Sequence, residues 1–262
     1  MPQRPKIIVA GALGKMGKAA VETFLANSDR FELVAAVLRD LGNVSEQVKQ
    51  DHEQRGVKLI DNLEAELNQG GVDILIELTT PDSVFENSKL ALNSGVRPVI
   101  GATGLSDDDI NELNSLSQKQ GLGTIIAPNF AIGAILMMKF AAQAAKYMDR
   151  YEIIEKHHEA KVDAPSGTAI KTAKLISDNN GQNQSPQAGE ISRGELHYGV
   201  PIHSLRLQGY VASQEVIFGA QGQTLTIQHD TIDRSSFMPG ILLASEKIME
   251  LDRLVYGLEN LI

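Results

Sequence analysis

Apolar positions along this chain follow one rhythm in its first half and another in its second. Short runs dense in Val, Ile, Leu and Ala occur at 6–10, 32–38, 57–60, 74–78, 98–100 and 124–126. Between most of them lie stretches whose apolar residues recur at helical spacing: 16–27, 82–94 closed by Gly95, and a segment opened by Ser106. Asp109, three residues past Ser106, comes close to a capping box. Strands alternating with helices predict βαβ units and a Rossmann-type, doubly wound parallel sheet.

After Asn129-Phe130 the pattern changes. A long helix is predicted over 132–149 and a strand over 151–157, and the remaining strands read as antiparallel. Segments 211–219 and 224–229, joined by Ala220-Gln221-Gly222-Gln223, form a predicted hairpin. These features predict a second, α+β domain built on a mixed or antiparallel sheet. Residues 179–189, rich in Asn, Gln, Ser, Pro and Gly, read as a surface loop. An amphipathic segment at 239–251 is expected to return to the first domain. The expected division is a dinucleotide-binding domain of 1–129 plus 235–262, and a substrate-binding and oligomerisation domain of 130–234.

Charge narrows the partner. With 24 Lys and Arg against 33 Asp and Glu, the net charge is −9 and no basic block occurs, so a small molecule is expected rather than nucleic acid. The longest apolar stretch, 130–138, contains Gly133 and is about half of what a membrane span needs, so no membrane role is expected. The start, Met-Pro-Gln-Arg-Pro-Lys, runs straight into a strand and leaves no room for a signal or transit segment, so a cytoplasmic location is expected, with an earlier-removed leader left open. The absence of cysteine excludes disulfides, thiolate metal sites and thioester-forming dehydrogenases.

The first strand ends in Gly11-Ala12-Leu13-Gly14-Lys15-Met16-Gly17, which opens a helix. Glycines suit this position because the turn is tight and a pyrophosphate can sit on the unpaired N–H groups of a helix N-terminus. The spacing is one residue off the commoner form, with Ala12 in place of its first glycine, and a plain glycine-bearing turn fits the bare pattern too. At the end of the second strand stand Leu38-Arg39-Asp40. Leu38 offers no carboxylate to a ribose diol and Arg39 suits a 2′-phosphate, which predicts NADPH as the preferred cofactor. Asp40 is within reach of a ribose, which leaves NADH use open. Two further loops, Thr79-Thr80-Pro81 and Gly101-Ala102-Thr103-Gly104, fall at carboxyl ends of parallel strands, where ligands bind; both also read as caps and turns.

The densest chemistry runs from Glu155 to Ala169. His157 and His158 leave a strand, Lys161 follows on a loop, and Pro165-Ser166-Gly167-Thr168-Ala169 opens a helix. A helix N-terminus beside a lysine makes an anion site, and a histidine there can donate a proton near neutral pH. Plainer readings stand beside this one: Ser166 or Thr168 as an N-cap, Lys161 as a solvated charge, and the histidines as a metal pair. Adjacent strand residues face opposite ways and no third ligand is placed by spacing, so no metal is expected.

Residues 152–169, above all His-His-x-x-Lys-x-Asp-x-Pro-Ser-Gly-Thr-Ala, resemble the signature of the dihydrodipicolinate reductase family. The resemblance extends to 9–17, 101–104 and Ala127-Pro128-Asn129-Phe130, and spans nearly the whole chain. It implies hydride transfer from NAD(P)H to a cyclic, unsaturated dicarboxylate in lysine (diaminopimelate) biosynthesis. By matching position, it implies His157 as general acid, Lys161 as charge stabiliser and carboxylate holder, and His158, Gly167 and Thr168 as carboxylate binders. Arg39 would contact the adenosine phosphate, Pro128, Asn129 and Phe130 would lie with the cofactor contacts, and Arg234 falls where the family often has a basic residue near the cofactor. One departure is Leu38, where some members carry an acidic residue. The resemblance also implies a homotetramer assembled through the second domain's sheet. Two rival readings are a related reductase for a different small acid or imine, and an NADP-binding redox sensor. A sensor has no need of the His157, Lys161 and Thr168 cluster.

Overall fold

Four of the five residues of the first strand, Ile7, Ile8, Val9 and Ala10, are fully buried, the mark of a central parallel strand covered on both faces. The structure, a computed structural model, describes residues 4–180 and 191–262. The chain divides into two compact units, Met1–Phe130 with Phe237–Ile262, and Ala131–Ser236.

In the first unit, β1 (Lys6–Ala10) is followed by α1 (Lys15–Ala26), β2 (Glu32–Val37), α2 (Glu46–Gln54) and β3 (Lys58–Ile60). Next come α3 (Leu63–Leu67), β4 (Ile74–Glu77), α4 (Pro81–Asn93), β5 (Arg97–Ile100), α5 (Asp107–Gln120) and β6 (Thr124–Ile126). Ser106 completes the capping box of α5: its hydroxyl accepts from the Asp109 N–H, and Asp109 accepts from the Ser106 N–H.

The second unit holds α6 (Ile132–Ala144), β7 (Arg150–His157), α7 (Gly167–Asn179), β8 (Glu195–His197), β9 (Val200–Arg206), β10 (Ala212–Ala220) and β11 (Gln223–Thr231). The chain then returns to the first unit as α8 (Met238–Lys247) and β12 (Leu254–Tyr256). There α8 meets α1 and β5.

The first sheet has the order β3-β2-β1-β4-β5-β6-β12 with every pair parallel, which is the doubly wound arrangement expected. Connections run one way from β1 to β3 and the other way from β4 onward. The switch point therefore lies between β1 and β4, and in such sheets ligands bind just beyond the carboxyl ends of those strands.

The second sheet, β11-β10-β7-β9-β8, is mixed. β10 is antiparallel to β7 and β11, and the hairpin closes through Gln221-Gly222 with Gly222 at φ 75°. β9 is parallel to β7, which makes the sheet mixed, one of the two forms expected, and departs from the antiparallel reading of the later strands at β9. The parallel pair needs a crossover, and α7 supplies it. The α6 helix stops at Ala144, short of the expected 149, because its last turn tightens into bonds such as Tyr147 N–H to Ala144 C=O before β7 begins. Past Asn180, the surface loop expected at 179–189 lies outside the described residues.

Candidate active site

The turn after β1 is built around its glycines. Gly11 has φ 76°, and a Cβ there would lie 2.5 Å from the Leu78 carbonyl oxygen. A Cβ on Gly17 would lie 2.1 Å from the Gly11 carbonyl oxygen, so α1 can sit this close to its own loop only with glycine at that position. Gly14 differs: its φ of −68° suits any residue, and a Cβ would meet only the Gly11 carbonyl oxygen, at 3.1 Å. It is the N-cap of α1, no side chain caps that end, and the first turn carries no acidic residue. Backbone donors with room for close approach fit a pyrophosphate.

The other expected nucleotide loops of this unit converge on the same place. Gly11 abuts Leu78 and Thr79 beyond β4, Gly101 abuts Leu78 and the Phe130 ring, and Gly104 abuts Pro81. The Ala12 N–H reaches the Val37 carbonyl at the end of β2. Leu13, Lys15, Arg39, Thr103 and Pro128 are exposed, whereas Phe130 is buried. Arg39 has no hydrogen-bond or ion-pair partner among the described residues. Asp40, by contrast, is committed: one oxygen accepts from the Gly42 N–H at 2.7 Å and the other from Asn43 Nδ2 at 2.6 Å. Arg234 stands exposed at the head of a short turn in the second unit.

Glu77, at the end of β4, was not anticipated from sequence. It is fully buried and accepts from the Thr79 N–H at 2.8 Å, the Thr79 hydroxyl, and Asn87 Nδ2 at 3.0 Å. Burial pushes its carboxyl above the ordinary range although these bonds oppose the shift.

In the second unit, β7 ends at His157, so His158 already lies in the loop and is exposed. Strand alternation therefore governs Glu155 and His157, which share a face, and does not extend to His158. His157 Nδ1 lies 2.5 Å from Glu155 Oε2. Glu155 is fully buried. Arg206, beside His157 in the parallel register, places Nη1 2.9 Å and Nη2 2.8 Å from the two carboxylate oxygens of Glu155. The Ser166 N–H adds a bond to Oε1 at 3.2 Å. Burial pushes the Glu155 carboxyl up, but Arg206, Ser204 and His157 together outweigh it and hold it below the ordinary carboxylate range. Burial lowers His157; Glu155 opposes this, while Lys161 and Arg206 reinforce it.

Lys161 Nζ lies 2.6 and 2.7 Å from the two oxygens of Asp163, and this pairing holds the Asp163 carboxyl below its usual range. An ammonium has three protons, so one donor is left. Ser166 is the N-cap of α7, accepting from the Ala169 N–H. The N–H groups of Gly167 and Thr168 remain without acceptors among the described residues, and no acid occupies that first turn. The end of α7 is thus equipped for an anion. Among the described residues no group of three or more His, Asp or Glu could hold a metal, and no helix is long and apolar enough to cross a membrane.

A doubly wound sheet with an open, uncapped glycine turn at its switch point is the architecture of a dinucleotide-binding unit. The imidazole, ammonium and helix-end donors of the second unit fit reduction of an anionic substrate. The family model described as "Dihydrodipicolinate reductase, N-terminus" matches residues 5–130, and the one described as "Dihydrodipicolinate reductase, C-terminus" matches 133–262. The 4-hydroxy-tetrahydrodipicolinate reductase of Shouchella clausii (strain KSM-K16) is 49% identical over 264 residues, covering 98% of this chain and 99% of its own. That of Bacillus subtilis (strain 168) is 46% identical, covering 98% and 97%. A dipicolinate-bound dihydrodipicolinate reductase from Paenisporosarcina sp. TG-14 superposes with a TM-score of 0.84 at 41% identity, covering 99% of this chain and all of that one. The chain belongs to the dihydrodipicolinate reductase family and is an NAD(P)H-dependent oxidoreductase. The myo-inositol 2-dehydrogenase of Lactobacillus plantarum, at 12% identity and a TM-score of 0.64, shares the fold alone.

Proposed function

We propose that the chain converts 4-hydroxy-tetrahydrodipicolinate, once its hydroxyl has left as water to give a conjugated carbon–nitrogen system, into tetrahydrodipicolinate by adding a hydride and a proton, a step of the diaminopimelate route to lysine. The bound nicotinamide supplies the hydride. Hydride addition to one end of a conjugated carbon–nitrogen system leaves negative charge, which is quenched by a proton at the adjacent carbon. The observation that carries this reading is His157, held through Nδ1 by Glu155, with its Nε2 bonded to no described residue and Lys161 on the next loop. His157 donates the proton from Nε2, and Lys161 uses its remaining donor on a substrate carboxylate and steadies the developing charge. His158 and the N–H groups of Gly167 and Thr168 bind the carboxylates. The dipicolinate bound by the Paenisporosarcina relative, a flat cyclic dicarboxylate, supports that assignment.

The Gly11–Gly17 turn binds the pyrophosphate, with Thr79, Gly101, Ala102, Thr103 and the 128–130 segment toward the nicotinamide. NADPH is the preferred cofactor, because Arg39 is free while both Asp40 oxygens are engaged in their own turn. The working protein is a cytoplasmic homotetramer joined through the second sheet, whose Ile154, Leu205 and Ile217 remain partly exposed.

The test follows NADPH oxidation on adding the condensation product of pyruvate and aspartate semialdehyde. His157→Gln lowers kcat by about 10²–10⁴-fold with little change in KM, the usual contribution of a positioned acid. Lys161→Ala damages both terms, because it removes ground-state binding and transition-state stabilisation together. Wild-type kcat in His157→Gln, with NADPH binding intact, refutes the acid assignment.

A further inference from the structure

Glu155 and Arg206 belong to no expected catalytic or binding set, yet the second unit spends its best-made polar contacts on them. A fully buried carboxylate is costly unless every oxygen is satisfied. Here Oε1 accepts from Arg206 Nη2 and the Ser166 N–H, while Oε2 accepts from Arg206 Nη1 and meets His157 Nδ1. Arg206 reaches further. Its Nη2 donates to the Asp163 carbonyl at 2.6 Å, its Nε to the Lys161 carbonyl at 3.3 Å, and its Nη1 to the Leu205 carbonyl at 2.8 Å. One ion pair thus joins the strand bearing the imidazole, the loop bearing Lys161, and the N-cap of α7.

We propose that Glu155 and Arg206 are positioning residues for the reduction. Glu155 keeps the proton on His157 Nδ1, so that Nε2 is the donating atom. Arg206 holds the Lys161–Asp163 loop in register with that imidazole and with the α7 end. The inference rests on the reading of His157 as the acid. Neutral imidazole carries one N–H, and the partner of one nitrogen decides which. A carboxylate accepts only, so the tautomer left after proton donation is fixed as Nδ1–H, and reprotonation returns to Nε2.

The charged groups facing His157 are Glu155 on its own strand, Arg206 on β9 and Lys161 on the loop; β10 presents Ala212 opposite it and adds no charge. Glu155 is the one anion in that set, opposing burial and two cations. Removing its charge moves the protonation of His157 toward lower pH.

The experiment measures kcat/KM against pH for four forms of the full-length enzyme, with NADPH binding and melting as controls for folding. In the wild type, activity falls as pH rises through the His157 transition, since the acid form is active. If His157→Gln keeps that fall, the general-acid reading fails first and the positioning inference with it. If His157→Gln abolishes it, the variant Glu155→Gln decides. The expected result is a fall displaced to lower pH by about one unit, with about tenfold lower activity near neutrality that recovers on acidification. A uniform loss at every pH, with the fall unmoved, makes Glu155 merely structural and overturns the inference.

Should Glu155→Gln fail to fold, Arg206→Lys decides instead, because it keeps the positive charge and removes the fork. The expected outcome is a KM for the dicarboxylate raised about tenfold, the scale of a lost charge-assisted bond, with the pH fall in place. An unchanged KM overturns the inference.

Discussion

Two alanine substitutions three residues apart separate what the glycine turn does for the fold from what it does for the nucleotide. At Gly17, inside α1, two effects oppose each other. Helix propensity favours alanine over glycine by about 1 kcal/mol. Against that, the new Cβ falls 2.1 Å from the Gly11 carbonyl oxygen and 2.7 Å from both Gly11 C and Ala12 Cα. These are backbone atoms, which cannot rotate away, and overpacking of this kind costs about 1–3 kcal/mol or more. The clash wins, because α1 must lift off the β1 turn to make room. Gly17→Ala is expected to lose about 2 kcal/mol, or roughly 4–8 °C in Tm for a chain of this size, together with NADPH affinity. At Gly14 the φ is ordinary and the 3.1 Å approach to the Gly11 carbonyl oxygen is tight, so the turn gives by a few tenths of an ångström, far less than at Gly17. With a poorer N-cap, the cost is about 1 kcal/mol. If the turn binds the pyrophosphate as proposed, the added methyl intrudes where backbone and phosphate approach, and NADPH binding weakens about tenfold or more. Thermal melting and calorimetric titration with NADPH read the two effects separately. Wild-type affinity in Gly14→Ala refutes the pyrophosphate assignment, and a Tm at or above wild type in Gly17→Ala refutes the steric argument.

The proposed preference for NADPH rests on a free guanidinium at Arg39 beside an engaged Asp40. Arg39→Ala is expected to reduce kcat/KM with NADPH about 10–100-fold, the worth of a charge-assisted bond, while leaving NADH use nearly unchanged; a wild-type preference for NADH refutes it. Glu77 gives a stability signature. Because its folded-state pKa is raised, its ionisation opposes folding: the penalty is absent below the unfolded value and grows as pH rises through the folded one. Glu77→Gln keeps the Thr79 bonds, with Asn87 turning its amide over, so its Tm gains on the wild type as pH rises above the ordinary carboxylate range. A gap that stays constant or reverses with pH refutes the burial argument.

What the sequence disclosed and what it hid divide along a physical line. β1 and β4 were legible because strands buried on both faces are continuous apolar runs, and Ser106 with Asp109 was legible because a capping box is local. The α2 helix was not, since none of its residues is buried and periodicity has nothing to report. β9 was hidden by Pro201 within it and by its parallel pairing through a distant crossover, so the strand that makes the second sheet mixed was not placed. The same division runs through the site. His157, Lys161 and Thr168 stand within one dozen-residue motif, so spacing alone brought them together. Glu155 lay two residues before His157, the separation that places two side chains on one face of a strand, and that signal was available but unassigned. Arg206 carried no local signal at all: 51 residues from Glu155 in sequence, it reaches the carboxylate only because β9 lies beside β7. Groups expected to touch the reactants are therefore encoded in short motifs, where local geometry is read directly. The groups that would hold them in place are encoded in strand pairing, which a sequence pattern reveals only after the topology is known.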